Sequence, residues 1–324
     1  MVAVLAAILV LVLVVALDPS RFGLSGRQPG RTVSPGEPGW ARLAAAPVAL
    51  TEVAATAHAG RVWVAGGMDA SGSASRRVLV YDPTTDRWSE GPGLLAGVHH
   101  AALVSVGETL FLIGGYVGAG FASPTADVWR LDGGATSWVR GHPLPEARGA
   151  GAAAWDGRDR ILYAGGVGPS GVSDTVFATD PAAGWIELAH LRAPREHLAA
   201  TSSGAGTVAF MGGRRGDAGN LGTVEYVSDE GVVGGAADVP TPRGGVAAFS
   251  RQGLGDCLVG GEGPRGTFGH VECVGVTTTT TLPGLDVPRH GLGAAVIGRR
   301  VYVVLGGPQP GLTVSDVVEA LELP

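Results

Sequence analysis

The chain has no lysine: all 23 basic residues among its 324 are arginine. That excludes Schiff-base chemistry at a lysine and a Walker-type phosphate loop, both of which need the ammonium group. Aromatic residues are sparse. Five tyrosines, seven phenylalanines and seven tryptophans stand against 55 glycines, a balance that points to many tight turns rather than long helices. No basic cluster is present and the net charge is −6, which argues against nucleic acid as a partner. Hydrophobic residues at 45% readily supply a core.

One long apolar run stands apart. MVAVLAAILVLVLVVAL (1–17) ends at Asp18 and is nearly long enough to cross a bilayer as a helix. It is expected to act as a signal anchor or a signal peptide. The remaining chain would then sit outside the cytoplasm on a single-pass cell-membrane protein, or be secreted after cleavage. Arg21, Arg27 and Arg31 follow the run directly and oppose that orientation by the positive-inside rule. Residues 18–39 are rich in proline, glycine and serine and are expected to be a flexible linker.

Beyond residue 40 a single phrase keeps returning. RVWVAGGM, TLFLIGGY, RILYAGGV, TVAFMGGR, DCLVGGEG and VYVVLGGP each run a β-forming segment into two glycines. The first glycines are Gly66, Gly114, Gly165, Gly212, Gly260 and Gly306, at spacings of 48, 51, 47, 48 and 46 residues. A near-constant period close to fifty is the mark of propeller blades. Each unit has an apolar segment before the phrase and an alternating one after it, such as RVLVYDP (77–83) or GTVEYVS (222–228). A fourth segment follows, carrying Trp88, Trp138 or Trp185 in the first three units. A four-stranded sheet of this length has two apolar faces and cannot cover both alone, so the sheets must pack around a common axis. The expected fold is therefore all-β: a six-bladed propeller of four-stranded antiparallel blades over 40–324, preceded by one hydrophobic helix. The tail ends in a third strand (DVVEALELP), whereas the domain begins with a tryptophan-bearing fourth strand (GWARLAAAPV, 39–48). Trp40 is expected to complete blade six and leave no open edge.

The double glycines, Tyr81-Asp82-Pro83 and its echoes, and the downstream tryptophans together resemble the kelch family over residues 40–324. Blades four and five depart from the pattern by lacking the fourth-strand tryptophan, and blade five carries a five-threonine tract (277–281) in its place, so irregular outer strands are expected there. In kelch proteins that bind peptides, arginines opening the blades contact acidic groups. The resemblance extends that role to Arg148, Arg195, Arg243 and Arg289, each seventeen residues before a glycine pair. Such a ring would offer planar forks to carboxylates or phosphates. The alternative is that each arginine clamps the fold through an acid or a backbone carbonyl. In the first two blades the alignment places Thr51 and Val98 at this position. The next position round the ring reads Glu52, His99, Gly149, Glu196, Gly244 and His290, and its polar members join the candidate binding set.

The other chemistry is negative or open. His99 and His100 are adjacent, so in a strand they point to opposite faces and cannot chelate one ion together. His197 and His290 could converge with His99 near the axis, yet no metal motif has this spacing and neither metal nor cofactor is expected. Galactose-oxidase-like propellers use a Tyr–Cys crosslink beside copper. Here both cysteines, Cys257 and Cys273, lie on neighbouring strands of blade five, where they form either a cross-strand disulfide or two buried thiols. Gly166–Gly171 matches GxGxxG, but Pro169 interrupts it and no helix follows. Tyr116 and Phe121, with Arg214, Arg215 and Arg265, offer a loop surface on the arginine face. The expected function is recognition of a protein, peptide or acidic glycan by loops at the channel mouth. Two other readings are open: a sialic-acid-epimerase-like enzyme using His99, His197 or His290 with Glu196 as acid and base, or a purely structural propeller.

Overall fold

Six four-stranded antiparallel sheets flank the six recurrent phrases in the computed structural model, which describes residues 39–324 except 181–183, 217–218 and 276–277. Blade one is typical: Ala54–His58, Arg61–Ala65, Val78–Asp82 and Arg87–Glu90 pair in that order. The first strand of every blade faces the axis. Together these strands wall a cavity of about 260 Å³ lined by small side chains such as Ala55, Ser105, Ala154, Thr201, Ser250 and Ala295. Between blades the apolar faces interlock. Val62, Val64, Leu79 and Tyr81 of blade one pack on Tyr302, Val304, Val318 and Ala320 of blade six, all nearly fully buried. The expected helix over 1–17 and linker over 18–39 fall outside the described residues, Gly39 apart. Among the described residues no helix is long and apolar enough to cross a membrane.

The glycine pair does what its position requires. A Cβ on Gly66, Gly114, Gly165 or Gly260 would lie 2.3–2.6 Å from the carbonyl oxygen of Val98, Arg148, Arg195 or Arg289 of the following blade. All four glycines adopt positive φ. The second glycine then donates its N–H to that same carbonyl: Gly67 to Val98, Gly115 to Arg148, Gly166 to Arg195, Gly213 to Arg243 and Gly261 to Arg289, at 2.8–2.9 Å. Gly306 donates to Leu50 at 2.9 Å and returns the circuit from blade six to blade one. Two registers differ from the sequence alignment. In blade six the pair in register is Leu305–Gly306 (φ 59° and 100°), not Gly306–Gly307. In blade one the residue equivalent to the arginines is Leu50, not Thr51.

Tryptophans fasten the outer edges. Trp88 donates its indole N–H to the Ala44 carbonyl, Trp138 to Pro92 and Trp185 to His142, each time in the connector that leaves the preceding blade. Trp40 does the same to Pro283, which follows the last strand of blade five, at 2.7 Å. Beside it Ala41–Arg42 pairs antiparallel with Val318–Glu322, setting Ala41 opposite Ala320 and Arg42 opposite Glu319. The threonine tract does not disrupt blade five: Thr279–Leu282 forms a regular ladder with Val271–Val274, as β-branched side chains favour. That blade, which lacks the tryptophan, instead carries the Cys257–Cys273 disulfide between directly opposed residues of its second and third strands.

Because the Gly114 position combines positive φ with contact to the next blade's backbone, Gly114→Ala is expected to cost at least ~2 kcal/mol, read as a lowered denaturant midpoint. A Gly118→Ala control, at positive φ with open space around it, should lose about 1 kcal/mol.

Candidate functional site: the channel mouth

In every blade the loop entering the first strand pairs with the loop leaving the glycines. The contacts are Thr51–Met68, His99–Tyr116, Gly149–Val167, Glu196–Arg214, Gly244–Glu262 and His290–Gly307. Both loop sets therefore share one face, where they surround the axis. Immediately inside lies a second closed circuit of backbone bonds: His100 N–H to Glu52, Ala150 to His100, His197 to Ala150, Gly245 to His197, Gly291 to Gly245 and Val53 to Gly291. Glu52, His100, Ala150 and His197 hold positive φ here, as do Gly245 and Gly291. This left-handed conformation turns one residue per blade toward the axis. The ring encloses a small cavity of about 80 Å³.

The four arginines are elsewhere. Arg195, Arg243 and Arg289 have no solvent exposure and Arg148 has 4%. Arg195 pairs with Glu225, Arg243 with Glu272 and Arg289 with Glu319, each glutamate lying on the third strand of the same blade. Other guanidinium hydrogens go to backbone carbonyls, among them Gly212 from Arg195 and Gly260, Leu258 and Thr241 from Arg243. The ladder position of these glutamates, opposite Phe210, Leu258 and Val303, is Phe177 in blade three, Leu79 in blade one and Trp129 in blade two. Where the arginine is replaced by Leu50 or Val98, the glutamate is absent as well. Arg148, facing Phe177, stacks over that ring at 5.6 Å and bonds Glu146 and Ser173. In blades one, two, four, five and six the two charges are present or absent together, and in blade three Glu146 replaces the third-strand partner. The expectation of an arginine ring at the mouth is corrected: these side chains lie between strands as structural clamps, with their hydrogen-bonding capacity directed inward. For a buried ion pair, removing one partner leaves an uncompensated charge.

What gathers at the axis is a set of histidines and glutamates. His100 Nε2 is 3.1 Å from Glu52 Oε2 and 3.0 Å from His197 Nε2. His290 Nδ1 is 3.2 Å from Glu52 Oε1, and His99 Nδ1 is 2.5 Å from His100 Nδ1. Glu196 contacts His197 and also Arg214, which bridges to Glu262 at 3.0 Å. Of the candidate binding residues, Glu52, His99, Glu196 and His290 are therefore brought together. Arg214, expected on a loop surface of this face, joins them, as do His100 and Glu262, which the sequence does not point to. Adjacent His99 and His100 do not alternate as in a strand, because the positive φ of His100 swings its ring toward His99.

Burial drives the electrostatics. Desolvation pulls His100 down to about 4, only partly offset by the Glu52 charge, and pulls His197 well below its usual value with help from His100. Desolvation would raise Glu52, but His100, the His290 hydrogen bond and His197 outweigh it and hold the carboxyl ionised. Burial would lower His290 too, yet its hydrogen bond and charge pairing with Glu52, with Glu262 nearby, raise it. Burial thus favours the neutral form of His100 and His197, while Glu52 and His290 are drawn toward their charged forms.

Above the cluster sits Phe121, 58% exposed, its ring 5.7 Å from His99, 5.2 Å from His100 and 5.4 Å from Tyr116. Tyr116 itself is buried and stacked on His99. Arg215 and Arg265 are exposed on neighbouring loops, as is Leu312.

The Kelch motif model matches residues 49–95, which is blade one with its flanking loops. The chain carries a kelch motif on a six-bladed β-propeller. It is 26% identical over 275 residues to the Kelch-like protein terF of Aspergillus terreus, covering 76% of this chain and 58% of that protein. It is 31% identical over 150 residues to Kelch-like protein 35 of Mus musculus, covering 46% of this chain and 24% of the other. A third similarity, 30% over 168 residues, is to Beta-scruin of Limulus polyphemus. The chain spans between 18% and 58% of the length of these relatives.

The clamp assignment has a direct consequence. Arg243→Ala is expected to lower unfolding free energy by about 3–5 kcal/mol by stranding Glu272, while Arg243→Met with Glu272→Leu should recover most of that loss. Urea denaturation of the three proteins checks both expectations.

Proposed function

We propose that this kelch propeller is a recognition scaffold whose mouth-face loops bind a polypeptide partner. Phe121 carries the reading: a large aromatic ring held in the open by contacts to buried His99, His100 and Tyr116 is a pre-oriented anchor of the kind that dominates interfaces. The exposed Arg215 and Arg265 would offer forks to acidic side chains of the bound segment, a role the buried arginines cannot take. Kelch propellers generally bind proteins, which agrees with this assignment. The buried, paired arginines also weigh against a sugar-acid enzyme, since they have no free fork for a substrate carboxylate.

Two structural proposals accompany it. The Ala41–Arg42 strand with Trp40 is read as the fastening that completes blade six and joins the two ends of the propeller. Residues 1–17 are read as a signal that carries the domain out of the cytoplasm, where the Cys257–Cys273 bridge would persist.

Panning a displayed random 12-residue peptide library on the propeller tests the function. Enriched peptides should combine an apolar anchor with acidic residues, bind at least tenfold more weakly to Phe121→Ala, and weaken further with Arg215→Ala and Arg265→Ala. Failure to enrich any sequence, or binding indifferent to Phe121, would contradict the reading.

A further inference from the structure

The axial cluster has a problem of protons that hydrogen bonding alone does not resolve. The Gly120 carbonyl can only accept, so His99 Nε2, 3.1 Å away, carries the hydrogen. With that hydrogen on Nε2, His99 offers its Nδ1 as an acceptor, and the 2.5 Å contact places a hydrogen on His100 Nδ1. That leaves His100 Nε2 as a lone pair. The same logic holds for His197. Its Nδ1 lies against the Glu196 carboxylate, which accepts only, so the hydrogen is on Nδ1 and Nε2 is bare. On the far side of Glu52, His290 Nε2 is committed to the Gln309 carbonyl at 3.0 Å and its Nδ1 to Glu52 Oε1. Glu52 Oε2 is left facing inward. Three acceptors, His100 Nε2, His197 Nε2 and Glu52 Oε2, thus converge in a buried space with no hydrogen assigned between them.

We propose that this neck binds one divalent transition-metal cation of the zinc class, with Glu52, His100 and His197 as its ligands. The three donor atoms lie within 4.8 Å of one another, and two of the three edges are 3.0 and 3.1 Å. Ligands about 2.0–2.1 Å from a tetrahedral zinc ion are ~3.3 Å apart, so the two short edges need shifts of a few tenths of an ångström, while the Glu52–His197 edge closes by up to about 1.5 Å through side-chain rotation. Two imidazoles and one carboxylate suit zinc or ferrous iron, whereas magnesium and calcium prefer all-oxygen shells. The surrounding groups support the ligands as metal sites require: Glu196 orients His197, His99 orients His100, and His290 holds the other oxygen of Glu52. The ligands come from the backbone ring, one each from blades one, two and four, so their spacing is set by the packing of the propeller. The cavity of about 80 Å³ leaves room for the ion and a water molecule.

The test uses the full chain in mild detergent, stripped with a chelator, re-equilibrated with Zn²⁺ and desalted before metal analysis. One zinc per chain is expected, unchanged in His190→Ala, whose exposed ring contacts Asp174 and Glu187 through opposite nitrogens. The His100→Ala/His197→Ala double variant should lose the ion, and Glu196→Gln should weaken it ~10–100-fold. Should the double variant not fold, the wild-type protein decides: added Co²⁺ must produce the strong visible bands of a low-coordinate nitrogen–oxygen site, and excess Zn²⁺ must abolish them. Absence of stoichiometric zinc, undiminished binding in the folded double variant, no cobalt bands, or equal competition by Mg²⁺ would overturn the proposal.

Discussion

The constraint on which this molecule depends is the contact between a glycine and the backbone of the next blade. Each blade must bring its second strand within hydrogen-bonding distance of its neighbour's entering loop. In four of the six blades a Cβ at the first glycine would occupy the space of that loop's carbonyl oxygen, whereas blade six holds Leu305 there at positive φ. Six such contacts make one circuit and the left-handed residues at the axis make another, so every blade is tied to two neighbours through the main chain. Side chains act on this frame rather than create it. Apolar faces fill the wedges between blades, tryptophans fasten the rim, and buried ion pairs fix the entering loops.

The buried arginines show how a repeated residue can mislead. A guanidinium at the same place in four repeats is compatible with a ligand-binding ring as well as with a clamp. The deciding signal was in the sequence as well: Glu225, Glu272 and Glu319 follow Arg195, Arg243 and Arg289 by 30, 29 and 30 residues, and no glutamate occupies the matching place where the arginine is absent. Buried pairs of this kind contribute little net stability but make single losses costly, which favours their replacement as a unit.

Blade number, strand order and the glycine contacts were legible because each is a local pattern repeated at a fixed period, and the agreement of six copies outweighs irregularity in any one. The axial cluster was only partly legible. Glu52, His99, Glu196 and His290 were identified by their place in the entering loops, but His100 was set aside on the premise that neighbouring residues alternate as in a strand. A positive φ at a non-glycine residue breaks that alternation, and it arises from the backbone circuit rather than from any preference of histidine. Arg214 and Glu262 were missed as partners because their meeting depends on two loops 48 residues apart in sequence. Long-range convergence at an axis leaves no periodic trace.

Both backbone circuits close at the seam between the last blade and the first. Amide hydrogen exchange followed residue by residue tests this closure most directly, through the Gly306 N–H, bonded to Leu50, and the Val53 N–H, bonded to Gly291. If the backbone circuits are closed and organise the fold, both amides should exchange as slowly as Gly115, Gly166 and Gly213 within the ring, and only through global unfolding. Fast exchange confined to Gly306 and Val53 would show that the circuits are open at the seam, and would contradict the view that they hold the propeller together.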